Sequence, residues 1–239
     1  MRFQTDLIPG TLIRRYKRFF ADCQLDDGRE VTAHIANTGP MTGLVEPGTR
    51  VWLEPSDNPK RKLKFSWKLA EFDGGVFVGV DTGAANTIVG EALEAGQIAA
   101  FAGAQVRREA RYGEKSRVDF LLSFADGPDL YLEVKSVTLL RQAGLAEFPD
   151  TVTTRGAKHM GELAQMRAEG HRAGILYLVQ RNDCQRFAVA ADIDPAYAEA
   201  AARAKAAGLE TYVFDTDIGP QGITLNAAQP LPVQDALES

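Results

Sequence analysis

Along the first eighty residues, apolar and polar positions alternate in short runs separated by turn residues, without the roughly 3.6-residue spacing of an amphipathic helix. The pattern predicts strands at Gly10–Ile13, Phe19–Leu25, Arg29–Ile35, Arg50–Glu54, Lys64–Phe72 and Gly75–Val80. Asp26-Asp27-Gly28 joins the second run to the third. An Asp-Gly step there marks a hairpin, because glycine accepts the positive φ of a tight turn. Glu46-Pro47-Gly48 is a further turn. Five or six short strands without a helix suit a small barrel of the OB type, expected over residues 1–80.

From Asp81 the period changes. Ala84–Ala95 has helical composition and stops at Gly96. Strands are predicted at Gln105–Ala110, Arg117–Phe124 and Leu130–Thr138, with Asp126-Gly127-Pro128 turning between the last two. Thr153–Glu169 is a long amphipathic helix closed by Gly170, and Pro195–Ala207 is another closed by Gly208. Between them Ala173–Gln180 is almost wholly apolar, as in a strand covered on both faces. Glu210–Phe214 is a last strand, and the proline-bearing tail after Gly222 is expected to wrap the surface. Strands alternating with helices predict a mixed α/β sheet over residues 81–239, so the whole reads as α/β with an N-terminal barrel.

Composition narrows the setting. Hydrophobic residues make up 45% and charged residues 25%, ordinary for a globular chain. No apolar run nears the roughly 20 residues a membrane span needs, and MRFQTDLIPG has no signal-peptide core. The expectation is therefore a cytoplasmic protein with no membrane partner. Cys23 and Cys184 lie far apart in no ligand spacing and are read as buried small hydrophobes.

A net charge of −5 argues against a polyanionic partner, but the distribution is uneven. Met1–Phe65 holds 11 Lys+Arg against 8 Asp+Glu, and the remainder 16 against 24. The basic end is where a polyanion would dock. Two basic runs there alternate with aromatics: Arg14-Arg15-Tyr16-Lys17-Arg18-Phe19 and Lys60-Arg61-Lys62-Leu63-Lys64-Phe65. Cations neutralise phosphates and aromatics stack on unpaired bases. The bland alternative is a solvated charged strand over core aromatics. Tyr16 is the aromatic chosen for stacking, with Phe19 and Phe20 assigned to the core.

The sharpest chemistry lies in Arg117-Val118-Asp119-Phe120-Leu121-Leu122 and Tyr131-Leu132-Glu133-Val134-Lys135-Ser136. Glu133 and Lys135, two apart on a strand, share a face, and antiparallel pairing can bring Asp119 beside Glu133. Two carboxylates and the Val134 carbonyl form an oxygen-only set of the kind Mg²⁺ or Mn²⁺ prefers. Lys135 could then orient an attacking water. The alternative is an ion pair on a strand face with Asp119 as a capping residue.

Asp119, Glu133 and Lys135 on a hairpin after a helix resemble the PD-(D/E)XK nuclease superfamily. That resemblance implies that the acidic pair binds the metal, that Lys135 serves the water, and that a helix carboxylate adds support. Glu91 or Glu94 is available, with Glu91 preferred. Val118 stands where proline often precedes the first acid.

A wider resemblance is carried by Gly10–Phe19, Asn37-Thr38-Gly39-Pro40-Met41-Thr42-Gly43, Ser56–Leu63, Arg155-Gly156-Ala157-Lys158-His159, Leu178–Arg181 and Pro230-Leu231-Pro232-Val233. In order along the chain, these segments resemble the sugar fermentation stimulation protein A (SfsA) family. The resemblance implies an OB-like domain, a nuclease-like domain, DNA binding and a link to regulation of sugar utilisation. Pro40 replaces the serine usual after Asn-Thr-Gly, removing a hydroxyl and an N–H from any phosphate contact there.

Arg155, Lys158 and His159 lie on adjacent parts of one helix turn and are read as further DNA-binding residues, the alternative being a polar outer helix face. His34 and His171 are taken as structural, and Trp52 and Trp67 as packing residues. The expected function is DNA binding with a Mg²⁺- or Mn²⁺-dependent phosphodiester hydrolase site. The alternatives are a non-catalytic DNA-binding regulator that keeps the fold and a metabolic or carbohydrate-binding protein. For the last, no sugar-stacking platform or phosphate loop is visible in the sequence. Oligomeric state is left open, a homodimer included.

Overall fold

The structure, a computed structural model, describes residues 1–112 and 116–234. The barrel consists of β1 (Ile8–Tyr16), β2 (Phe20–Leu25), β3 (Glu30–His34), β4 (Arg50–Pro55) and β5 (Phe65–Phe72). Their order is β3-β2-β1-β4-β5, and a parallel pairing of β3 with β5 closes the ring, which is the OB topology. Alternation does the sorting: Ala21, Cys23 and Leu25 of β2 point inward with Leu12, Leu53 and Trp67. Trp67 is fully enclosed, its Nε1–H donating to the Leu69 carbonyl at 2.7 Å.

β6 (Val76–Gly79) pairs with β5 and carries the chain out of the barrel. Gly79 donates its N–H to the Gln180 carbonyl at 2.8 Å. A Cβ on Gly79 would lie 2.9 Å from the Gln180 side-chain oxygen, so this junction is closely packed.

The rest is built on a five-stranded sheet of order β14-β12-β9-β8-β7. These strands are β7 (Gln105–Tyr112), β8 (Ser116–Ser123), β9 (Leu130–Val137), β12 (Arg172–Val179) and β14 (Glu210–Phe214). The apolar β12 lies between β14 and β9 and is parallel to both. Its Leu176 and Leu178 face one core with α1 (Ala84–Glu94), whereas Ile175 and Tyr177 face a second core with α2 (Thr154–Ala168) and α3 (Pro195–Ala206). Thr153 and Asp194 cap α2 and α3 by accepting the Gly156 and Tyr197 N–H groups. Met1, Phe3 and Leu7 pack into the α1 core, so the first residues of the chain belong to the α/β packing.

Several strands were not anticipated. β10 (Leu139–Gln142), β11 (Gly144–Phe148), β13 (Cys184–Val189) and β17 (Val233–Gln234) form a second sheet, and β15 (Thr216–Gly219) and β16 (Gly222–Leu225) form a hairpin. They are short and mixed in composition; β10–β11 and β15–β16 are tight hairpins, while β13 pairs with β11 and β17 far away in sequence, so no local period announces them. The tail does more than wrap: β16 and β17 both pair, and its last residues, 235–239, lie outside the described ones. Phe19 corrects another expectation. It sits in the turn after β1, behind Lys17 and Arg18 at φ 49° and 64°, and is 43% exposed.

Candidate metal and nucleic-acid site

The site forms where the hairpin departs from regular pairing. The β8–β9 register runs from Leu122↔Leu130 to Phe120↔Leu132 and ends one residue short of Asp119. Beyond that point the Asp119 carboxylate takes over the strand's partner, its Oδ2 accepting the Val134 N–H at 2.8 Å. Its Oδ1 accepts from Asn86 Nδ2 of α1 at 2.6 Å. On the other side of β8, the β7 register steps from Arg108↔Phe120 to Ala110↔Val118, and Glu109 between them has φ 52°. Residues two apart on a strand share a face. Here Arg108 bonds Glu94 of α1 while Ala110 packs in the α2 core, and Phe120 and Val118 divide in the same way. The hairpin turns over at Glu109 and Asp119, and this carries Asp119 to the mouth of the site.

Glu133 and Lys135 stay in regular β9, paired to Ile175 and Tyr177 of β12, and face α2. The Glu133 side chain is 5% exposed. Its Oε1 accepts from Lys135 Nζ at 2.7 Å and also bonds His159 Nδ1 from α2. His159 in turn accepts from Arg155 Nε through Nε2 at 3.4 Å. Glu133 Oε2 is buried with no hydrogen-bond partner.

Burial is the strongest influence on Glu133 and pushes its carboxyl up. His159 and Lys135 outweigh it together and hold the group below its ordinary value. Asp119 goes the other way. Burial and the Glu133 charge raise it to about 6, against the Val134 N–H and Asn86. Two carboxylates that repel each other, one with an unmatched oxygen, are a donor set suited to a hard cation. Among the described residues no three His, Cys, Asp or Glu side chains are gathered as a metal cluster. A cation held here would therefore complete its shell from a backbone carbonyl, water and substrate oxygens, as Mg²⁺ commonly does.

Two cavities, of about 410 and 450 Å³, share Asp119, Glu133 and Arg155 as walls. The first runs from Asn37-Thr38-Gly39 of the barrel past Asn86 and β9 to Phe148–Thr153. The second is lined by Glu109, Ser116, Arg117, Lys158 and His159. The barrel loop is pinned by Arg15, whose guanidinium donates to the Asn37, Gly39, Pro40 and Arg18 carbonyls at 2.8–3.1 Å. A Cβ on Gly39 would lie 2.7 Å from the Asp150 carboxylate, so this wall is closely fitted.

Comparison with known proteins decides the lineage. The profile of the SfsA N-terminal OB domain matches residues 13–80, and that of the sugar fermentation stimulation protein RE domain matches residues 83–222. A sugar fermentation stimulation protein homolog of a Ruegeria species is 60% identical over 231 residues, covering 96% of this chain and 100% of the relative. The chain belongs to the SfsA family. The homolog of Ruegeria pomeroyi is 60% identical over 94% of this chain and 98% of its own. The solved structure of Pyrococcus furiosus SfsA in complex with Ca²⁺ superposes with a TM-score of 0.87 at 27% identity, covering 98% of both chains.

Within this SfsA-family fold, the structure brings together Asp119, Glu133, Val134, Lys135, Arg155 and His159. It does not bring Glu91 there. The Glu91 carboxylate is half exposed, lies 2.5 Å from the Met1 amine and lines a separate cavity. Five residues along a helix from Asn86 is a rotation of about 140°, so Glu91 faces away from Asp119 while Asn86 reaches it. Glu94 pairs with Arg108. Asn86, Glu109 and Asp150 were not singled out from the sequence. A polar helix residue, a strand residue at positive φ and a loop aspartate carry no local signal of their meeting.

The two basic runs fall on the β1–β2 turn and the β4–β5 loop. Arg14 pairs with Asp22 at 2.8 Å, and Tyr16 stacks on Phe20 with Arg14 over its ring. Lys60 and Lys62 are exposed, while Arg61 donates to Ser66 Oγ at 2.8 Å. Lys158 is exposed and pairs with Glu162 at 3.1 Å.

Proposed function

We propose that this SfsA-family chain binds DNA and hydrolyses its phosphodiester bonds at the Asp119–Glu133–Lys135 site with Mg²⁺ or Mn²⁺. The observation that carries the reading is the buried Glu133 carboxylate beside the half-buried Asp119 carboxylate at the fork of β8 and β9, with Glu133 Oε2 unpartnered and Lys135 bonded to Oε1. Asp119, Glu133 and the Val134 carbonyl would hold the cation, which supplies charge stabilisation for the attacked phosphate. Ca²⁺, named with the Pyrococcus furiosus relative, is a hard cation with the same preference for oxygen ligands.

Lys135 Nζ holds the attacking water beside Glu133. The water oxygen bonds to phosphorus and gives up a proton, the bridging P–O bond breaks, and the leaving oxygen takes up a proton. Arg155 and Lys158 stand on the neighbouring turn of α2 to meet flanking phosphates. DNA binding is further supported by the two basic runs, which lie on the loops that OB barrels use for oligonucleotides. No helix among the described residues is long and apolar enough to cross a membrane. The reading places the protein with DNA in the cytoplasm, and the relatives' name, sugar fermentation stimulation protein homolog, supports a role in regulating sugar utilisation.

A second reading, a DNA-binding regulator without turnover, is favoured by two contacts. Lys135 and His159 both sit on Glu133 Oε1, so protein side chains, the Lys135 ammonium among them, already occupy that oxygen. Labelled DNA incubated with Mg²⁺ or Mn²⁺, using the parent chain and Lys135→Ala, separates the two. Cleavage lost in the variant while binding persists is the expected result. Binding without cleavage under either metal overturns hydrolysis in favour of the regulator.

A further inference from the structure

The barrel leaves two large apolar side chains exposed among the described residues, Ile13 on β1 at 39% and Phe19 in a turn at 43%. The Phe19 ring lies parallel to that of His34, within 1°, at 6.5 Å between centroids. Consecutive ladder pairs, Phe20↔His34 and His34↔Ser66, set the β1–β2 turn and the end of the β4–β5 loop on either side of β3. The Phe19–His34 pair therefore stands between the two basic loops. Lys17 and Arg18 beside it form no ion pair among the described residues, unlike Arg14.

Arg15 ties this tip to the catalytic wall. One guanidinium holds the Arg18 carbonyl and those of Asn37 and Gly39, which line the carboxylate cavity. A ring face presented between cations is complementary to an unpaired base on its phosphate backbone. A duplex buries its base faces in its own stack and offers only edges and phosphates.

We infer that Phe19, with His34 behind it, stacks an unpaired base of a DNA strand leading into the Asp119–Glu133 cavity, so that the ligand is single-stranded at this point. The inference rests on the proposed DNA-acting reading for its ligand class. Tyr16 does not compete for the role, since Phe20 and Arg14 already cover its ring.

The test is fluorescence anisotropy of a labelled oligonucleotide, single-stranded and as a duplex of the same sequence, without divalent metal. The parent is expected to prefer the single strand, and Phe19→Ala to bind it roughly tenfold more weakly, the scale of losing one stacked base. Phe19→Trp should bind like the parent, as should Val233→Ala, which removes an exposed apolar side chain elsewhere. Melting temperatures of all variants should match the parent's, because both positions are exposed. Equal affinity for duplex and single strand, or Phe19→Ala binding as the parent does, overturns the inference. A Phe19-dependent single-strand binder that never cleaves upholds it and ends the hydrolase reading. A metal-dependent nuclease indifferent to Phe19 ends this inference alone.

Discussion

Glu133 and Glu147 are both buried, both lie on strands and both line the same cavity, yet they are held in opposite ways. Glu147 is met by the planar fork of Arg141, Nε to Oε2 at 2.9 Å and Nη2 to Oε1 at 2.6 Å, and Arg141 continues to Asp192. Each oxygen of Glu147 has its donor, which is the arrangement of a structural ion pair. Glu133 crowds two partners onto Oε1 and leaves Oε2 with none. An unmatched buried carboxylate oxygen costs free energy, about 1–3 kcal/mol for a polar group and more for a charged one. Under the proposed reading, the unmatched Glu133 oxygen is the one a bound cation would take up.

The strongest way to break this comparison is at the reacting groups. Glu133→Gln and Lys135→Ala should each lower metal-dependent cleavage of DNA by about a hundredfold or more, the scale of losing one positioned group. Initial rates with Mg²⁺ or Mn²⁺ at equal folded protein provide the check. A loss below about threefold would leave Glu133 no more functional than Glu147.

Arg141→Ala is expected to do the reverse, destabilising the fold by about 2–3 kcal/mol because it strands a buried carboxylate, with some relief from the partial exposure of Arg141. Thermal melting should fall by roughly 4–12 °C for a chain of this size, while the response of the melting temperature to added metal is unchanged.

Asp119→Asn sharpens the contrast through pH. The folded-state value of about 6 lies above the ordinary 3.8, so the folded chain binds this proton more tightly than the unfolded one. Stability therefore falls as pH rises between these values, and the full penalty, at most about 3 kcal/mol, is present above pH 6. Without metal, the variant should melt higher than the parent at pH 7.5, by about 1–2 kcal/mol equivalent, and lose that advantage toward pH 4. No gain at pH 7.5 would mean that Asp119 is already matched without a cation.

The smallest effect is expected at Glu91. Its ion pair is half exposed, so Glu91→Gln should change stability by less than about 0.5 kcal/mol and leave cleavage and metal response as in the parent. Loss of metal response in this variant would return Glu91 to the site.

Much of this was legible along the chain. Period-two alternation and the Asp27-Gly28 hairpin disclose the barrel, because a strand half-facing a core must alternate. The apolar Ala173–Gln180 run discloses an interior strand covered on both faces, and Glu133 and Lys135 must share a face wherever regular strand geometry holds. Where that regularity fails, local reading fails with it. Only the assembled sheet makes the hairpin turn over at Glu109 and Asp119, sends Asn86 rather than Glu91 to the acid, and seats His159 on Glu133. Tertiary packing likewise left Phe19 outside the barrel and used Arg15 to hold four carbonyls. The sequence by itself determined which elements form and which face each regular residue takes, since period and turn chemistry act over a few neighbouring residues. Tertiary structure alone decided which side chains from distant elements meet, because those contacts depend on helix rotation, strand departure and the partners available once the core has closed.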